Sequence, residues 1–480
     1  MAGDLLELLG AEVVRVDVVH GPAHAARIAA MEPIAAIDAV GAFDEPPFAV
    51  VRLAPIDAPA AWAASGALFL TGPADTAPIA PDPQVAMKLL AVGAVVQLLA
   101  ACRKVVLDLD PLALLGERAA IAGFGRNGAT SVGGNAHLVR AADGWVALNL
   151  ARADDIAALP ALLDGDVAPH TAWPEVRAAI ARRSRATLER RAGLLGLPLG
   201  AVPDNARPRT AVRSPYVFGD ATRATRSSGS PALRATSTAD HGRPASRTPL
   251  VVDLSSLWAG PLAASLLGAC GARVLKVEGA HRPDGARRGP AAFFDLLNHG
   301  KECVALDFTA PADVDLLRRL VEHADVVIEG SRPRVMRELG IDPFEIARDH
   351  DTTWLAITGY GRAGDDANRV GFGDDAAAAA GLVVGDPPNF VADAVADPIT
   401  ALYASAAGLA ALVGRRGQVI DVSLRQCSAY VRGLGDHHTF GWPGTVGAPH
   451  ARQVAGPAAA HGEHTGRVRA EFGARSTIRP

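Results

Sequence analysis

Residues 249–361 predict a doubly wound α/β domain, and three observations carry that reading. PLVVDLSSLWAG opens as an apolar, β-branched run and ends in a turn. PLAASLLGACG follows with apolar positions at helical spacing and a closing glycine, and ARVLKVEG returns as a second short strand. The alternation then continues, with CVALDFT as a strand, PADVDLLRRLVEHA as a helix with proline in its first turn, and DVVIEG and TWLAITGYG as further strands. Parallel strands require such crossovers. Ligands of these sheets bind beyond the carboxyl ends of the strands, where SSLWAGP, KVEGAHRPDG, EGSRP and TGYGRAG lie. GYGRAG, from Gly359 to Gly364, has GxGxxG spacing. It follows the last strand with no helical pattern after it, so it reads as a turn.

The chain has 480 residues, enough for two or more cores. Residues 205–248 are rich in Pro, Ser, Thr, Gly and Arg without apolar periodicity, which marks a linker. The expected division is therefore 1–204, the linker, a sheet domain over 249–430 and a tail over 431–480. Net charge is −4, and no basic stripe with interleaved aromatics occurs, which argues against nucleic-acid binding. The four cysteines, Cys102, Cys270, Cys303 and Cys427, form no CxxC pair, as expected in a reducing cytoplasm. MAGDLLELLG lacks the basic and apolar regions of a signal peptide. The apolar runs at 89–101 and 401–413 fall short of the ~20 residues that span a bilayer. A cytoplasmic protein without a membrane segment is expected. His437, His438, His450, His461 and His464 lack ligand spacing with acidic or cysteine partners, so no metal site is expected. Arginine far outnumbers lysine, which occurs only at Lys88, Lys104, Lys276 and Lys301.

The first half echoes the second. Asp397-Pro398 precedes the helical ITALYASAAGLAALV and the strand QVIDVSL; Asp82-Pro83 precedes QVAMKLLAVGAVVQLL and KVVLDLDPL. Asp-Pro, helix and strand in one order point to an internal duplication. Asp82 is the weaker candidate for chemistry, because PIAPDPQ also suits a surface turn.

These segments resemble the class III CoA-transferases, the family of formyl-CoA transferase, carnitine CoA-transferase and α-methylacyl-CoA racemase. VVDLSSLWAGPLAASLLGACGARVLKVEG, FFDLLNHGKECVALDF, HADVVIEGSRPRVMRELGID and ITGYGRAG carry the resemblance, together with GFGDDAAAAAGL, VADPITALYASAAGLAALVGRRGQVIDVSL and the tail ARQVAGPAAAHGEHT. VGGNAHLVRAADGWVALNL, residues 132–150, is similar to a segment that family members carry after the catalytic aspartate, in their small domain. Here it comes first. The implied architecture is a Rossmann-like domain plus a smaller α+β domain, the class III fold with rearranged or duplicated halves. Residues 1–75 match nothing in the family.

What the resemblance implies is an acyl-CoA:carboxylate CoA-transferase with acyl-CoA and a carboxylic acid as small-molecule partners, coenzyme A as cosubstrate and no permanently bound cofactor. A homodimer of interlocked chains is implied as well, although duplicated halves leave open a site made within one chain. Asp397 matches the catalytic nucleophile; the plainer reading is a helix cap with Pro398 at the first helical position. Gly133 and Gly134 match a glycine loop that covers the aspartate with free backbone N–H groups; the alternative is a tight turn before HLVRA. Ala259, Lys276, Arg282, Lys301 and Arg332 fall in loops that touch CoA in the family. EGSRP departs from the pattern, with Gly330 and Ser331 where asparagine and an aromatic are usual. The racemase histidine is replaced by Phe372, with Asp374 or Asp375 as substitutes, which favours transfer over the alternatives of epimerisation or non-catalytic CoA binding.

Overall fold

The computed structural model describes residues 36–37, 50–51, 57–204, 212, 214–219, 247–414, 417–433 and 440–473. Most of the expected linker and of residues 1–75 lies outside the described residues, as do His437 and His438. Helices α1 (Pro83–Cys102) and α2 (Glu117–Ala122) precede strands β1 (Ala136–Ala141) and β2 (Gly144–Asn149). Helices α3 (Trp173–Ala181) and α4 (Arg185–Leu195) then lead to β3 (Leu199–Val202). Strand β4 (Val217–Phe218) comes next. The sheet domain runs β5 (Leu250–Leu254), α5 (Ala259–Ala269), β6 (Arg273–Gly279), α6 (Ala291–Asn298) and β7 (Glu302–Leu306). It continues with α7 (Pro311–His323), β8 (Val326–Glu329), β9 (Thr353–Thr358), α8 (Gly373–Ala379), α9 (Ala396–Val413) and β10 (Val419–Ser423). Helices α10 (Leu424–Arg432) and α11 (Thr465–Gly473) close the described chain.

The main sheet has the order β7-β6-β5-β8-β9-β10-β4, parallel except for β4, which pairs antiparallel with β10. Alternating strand residues feed two cores, as a period of two requires. Val251 joins α5 and α9, whereas Leu250 and Val252 join α7 and α11. The doubly wound expectation holds, including each strand and helix assigned to 249–361. Strand order reverses between β5 and β8, which opens a crevice beyond their carboxyl ends. As expected, residues 359–364 form bends rather than entering a helix.

Packing cuts across the expected halves. Helix α1 lies against α9, and Val92 and Leu89 share one core with Leu262 and Leu402. The antiparallel sheet β1-β2-β3 builds a separate core with α3 and α4, yet its other face meets α8 through Ala378. By length and composition α1, with 20 residues, and α9, with 18, are apolar enough to cross a bilayer, which the shorter runs did not indicate. Both are mostly buried in the protein, as core helices apolar on all sides must be.

The echo between halves stops after the helix. KVVLDLDPL is no strand. Val105 and Leu107 touch the core while Val106 is fully exposed, so the burial alternates as in a strand but no neighbouring strand pairs with it. At the crossing of α9 and α5, an added Cβ on Gly408 would lie 2.9 Å from Leu267 Cδ1. Gly408→Val is expected to cost about 1–3 kcal/mol through overpacking, read as a lower urea midpoint with unchanged slope.

Candidate active site

Asp397 lies in the first turn of α9, one residue inside its start, and Val395 rather than Asp397 occupies the cap position. Its carboxylate faces the backbone N–H groups of Ala259 and Gly373, which favour its ionised form. Those residues begin α5 and α8. Three helix N-termini therefore converge on one carboxylate, each adding positive potential. Asp82 differs: it caps α1 by accepting from Gln84 N–H at 2.8 Å. The two Asp-Pro pairs are thus not structural equivalents.

This seat leaves no space at position 373. A Cβ there would fall 2.3 Å from Asp397 Oδ2 and 2.1 Å from the Ala394 carbonyl oxygen. The chain approaching Asp397 also bends through left-handed backbone at Ala392 (φ 50°) and Ala394 (φ 42°). Non-glycine residues rarely adopt such angles, and they cluster where the surroundings enforce them. Thr71 Oγ1 accepts from Ala392 N–H at 3.0 Å and Asp374 Oδ1 accepts from Ala394 N–H at 3.2 Å, so two hydrogen bonds hold the bend.

Asp397 has acidic neighbours. Burial first, then the charge of Asp393, pushes its pKa up to about 7, against Arg118 and the two amides. Asp374 is raised to about 7 by burial and by Asp393 and Asp397. Burial raises Asp375 to about 8, although it accepts from Phe372 N–H at 2.9 Å and from the Tyr360 hydroxyl at 3.2 Å. Phe372, in the racemase-histidine position, precedes α8 with its ring 5.6 Å from the Arg152 guanidinium.

The first half contributes Arg118, on α2, which sequence reasoning missed. It donates from Nε to Asp393 Oδ2 at 2.9 Å and from Nη2 to the other oxygen. Its guanidinium lies 5.0 Å from the centre of the Trp258 ring. The Trp258 indole N–H is buried without a partner. Gly133 lies beside Arg118, where an added Cβ would be 3.4 Å from Nη2. The glycine loop and Asp397 are thus brought to the same cation. One detail departs from expectation: Gly134 N–H is not free but donates to the Ser131 carbonyl at 2.8 Å, closing a turn with φ 80°.

The basic residues divide into two groups. Lys276 was expected in a loop, but it lies inside β6, fully buried, 2.9 Å from Asp284. Lys301 Nζ is likewise buried, donating to Asp253 at 2.8 Å, the Pro261 carbonyl at 2.8 Å and Asn298 at 3.0 Å. Neither ammonium is presented to a ligand; both neutralise carboxylates beneath the crevice, since a buried charge requires a partner. Arg282 is exposed beyond β6 and Arg332 is half-buried beyond β8. Burial and the charges of Arg334, Arg152 and Arg282 lower the Arg332 pKa, so these cations crowd together at the crevice mouth. In EGSRP, Ser331 donates to Glu329, and Gly330 packs against Ser255.

Two outcomes follow from this geometry. Gly373→Ala is expected to displace Asp397 and abolish activity, while far-ultraviolet dichroism stays at the wild-type level. Asp375 remains protonated in the folded chain to about pH 8, whereas an unfolded aspartate ionises near pH 4. Folding therefore loses stability as pH rises across that window, because the native state binds the extra proton. Asp375→Asn does not titrate, so its melting temperature relative to wild type should climb steadily between pH 5 and 8.

Residues 249–460 match the model of CoA-transferase family III. Over 191 residues the chain is 29% identical to a succinyl-CoA–D-citramalate CoA-transferase of Chloroflexus aurantiacus, covering 36% of this chain and 48% of that protein. Over 198 residues it is 33% identical to a succinate–glutarate CoA-transferase of Agrobacterium fabrum, covering 36% and 49%. A crystal structure of a CAIB/BAIF family protein from Brucella suis aligns at 32% identity with a TM-score of 0.36, over 38% of this chain and 53% of that one. The chain thus spans about half the length of the relatives it matches. The stretch from residue 249 to residue 460 is thus similar to CoA-transferase family III.

Proposed function

We propose that the chain is an acyl-CoA:carboxylate CoA-transferase with Asp397 as covalent nucleophile. The observation that carries this is the seat of Asp397, whose carboxylate faces the N–H groups of Ala259 and Gly373 and lies against Gly373, while Arg118 makes its ion pair with the neighbouring Asp393. Amide donors favour the ionised form without pairing it to a cation. In the proposed cycle, one Asp397 oxygen attacks the thioester carbonyl carbon, the carbon–sulfur bond breaks and CoA thiolate leaves, giving a mixed anhydride. The thiolate then attacks the aspartyl carbonyl, releasing the donor acid as its carboxylate and leaving an aspartyl-CoA thioester. An acceptor carboxylate repeats the first step on that thioester, and the thiolate takes the new acyl group. Asp397 is regenerated without net proton transfer. The covalent route divides one difficult exchange into easier steps.

Arg282 and Arg332 are the residues proposed to meet the CoA phosphates, since guanidinium groups match phosphate oxygens and these two lie open at the crevice. Lys276 and Lys301 are left out of that role because both are consumed by buried carboxylates. Gly133 N–H remains the proposed donor to the developing oxyanion.

The test is incubation with acetyl-, succinyl- and isobutyryl-CoA, then hydroxylamine trapping and mass spectrometry of the Asp397 peptide. An adduct that vanishes in Asp397→Ala supports transfer. Deuterium uptake at the α-carbon of isobutyryl-CoA without an adduct would replace this reading with epimerisation, and CoA binding with neither outcome would leave a binding protein. Because Asp397 titrates near pH 7 and only the carboxylate attacks, trapping should be about tenfold slower at pH 6 than at pH 8.

A further inference from the structure

We propose that Arg118 is a positioning residue for Asp397, supplied by the first half of the same chain, and that it acts through Asp393. The inference rests on the aspartyl mechanism above. Asp393 is fully buried, and both of its oxygens are taken by one guanidinium. Asp397 faces the Ala259 and Gly373 amides, and the Arg118 hydrogen bonds go to Asp393. The division matters chemically. A nucleophilic carboxylate paired directly with arginine would have its charge tied up in two strong hydrogen bonds. Here the cation sits on the neighbour, offsetting the repulsion among Asp374, Asp393 and Asp397 while leaving Asp397 free to attack.

The charged groups around Asp397 come from several elements. Helix α8 brings Asp374 and Asp375, the segment before α9 brings Asp393, and α2 brings Arg118. Helix α5 offers the Ala259 amide. Arg432 of α10 donates to the Gly381 carbonyl at 2.9 Å, and Lys88 of α1 to the Tyr430 carbonyl at 2.5 Å.

Arg118 is itself firmly placed. Trp258 lies across its guanidinium and is braced edge-on by Phe293, with ring centres 5.2 Å apart. The preceding residue, Glu117, is buried and pairs with Arg452 of the C-terminal segment at 2.6 Å. Helix α2 is thus fastened on both sides of the crevice by its own chain. Asp393, Asp397, Arg118 and the Gly133 loop, drawn from both parts of one chain, lie together.

The experiment is the pH dependence of trapping with the same three thioesters in wild type, Arg118→Lys, Arg118→Met and Arg118→Met/Asp393→Asn. Loss of the cation alone should raise the midpoint of the acid limb by about one pH unit, slowing trapping at pH 7 several-fold. Arg118→Lys should recover most of that rate. The double variant removes one charge of each sign and should bring the midpoint back toward wild type, which a merely structural role would not do. It also spares the fold a buried, unpaired carboxylate. An unchanged midpoint in Arg118→Met overturns the proposal, as does a folded double variant whose midpoint stays displaced or that traps at no pH. If wild type forms no adduct with any thioester, the aspartyl mechanism fails instead. Co-expressed Asp397→Asn and Arg118→Met chains should show no more than the reduced pH 7 rate of Arg118→Met; recovery of the wild-type rate and midpoint in the mixture would overturn assembly of the site within one chain.

Discussion

A carboxylate turned toward two backbone amides is the constraint on which the rest of the site depends. Ala259 and Gly373 deliver their N–H groups to Asp397 only because α5 and α8 begin at the same point where α9 begins. Each helix arrives there for a different reason. Helix α5 follows β5, the strand at which the sheet order reverses, so its N-terminus must open on the crevice. Helix α9 is positioned by burial along nearly its whole length between α5 and α1. Helix α8 has only seven residues, too short to hold itself, and is clamped by the small antiparallel sheet. At Gly200 of β3 an added Cβ would meet the Asp375 carbonyl oxygen at 2.4 Å, which measures how closely that clamp is applied.

The clamp joins the two parts of the chain energetically. The family match begins at residue 249, yet α8 is backed by β2 and β3 and the cation at the site comes from α2. Concentrating buried Asp374, Asp375 and Asp393 beside half-buried Asp397 opposes folding, since ionised carboxylates lose water there and repel one another. Raised pKa values at Asp374, Asp375 and Asp397 record that opposition. Arg118 relieves part of it, and the apolar contacts of α1 with α9 supply the burial that holds the acids together. Stability is thus given up at the crevice and recovered in the core.

Much of this was legible in the residues, and for definable reasons. The alternation from 249 to 361 was readable because buried parallel strands are short apolar runs separated by helices of regular period. Asp397 was singled out through the family resemblance and its Asp-Pro place before an apolar helix, and the structure sets it in the first turn of that helix. Burial was harder to read. Lys276 looks like a loop cation in KVEGAH, but β6 extends through Gly279 and a central strand has no solvent face. KVVLDLDPL has strand chemistry and even strand-like alternation of burial, yet a strand exists only where another strand pairs with it. Arg118 was hidden for a compositional reason: among 47 basic residues of which four are lysines, one more arginine in ERAAIAG carries no local signal. Nothing in that segment indicates Asp393, 275 positions away.

The distance between those two residues bears on how such a site is built. Asp397 and the two amides it faces all come from the family-matched stretch and form one local unit. The guanidinium and the glycine loop come from outside it, between residues 118 and 134. A carboxylate held only by amides in a buried acidic cluster would remain protonated well above neutral pH, because amides offer partial charges and the neighbouring acids whole ones. A full positive charge is needed, and within the described crevice Arg118 is the one that contacts the cluster. The matched stretch sets the place of Asp397 and the first half supplies the cation on its neighbour Asp393, which joins the two parts electrostatically even where their cores are separate.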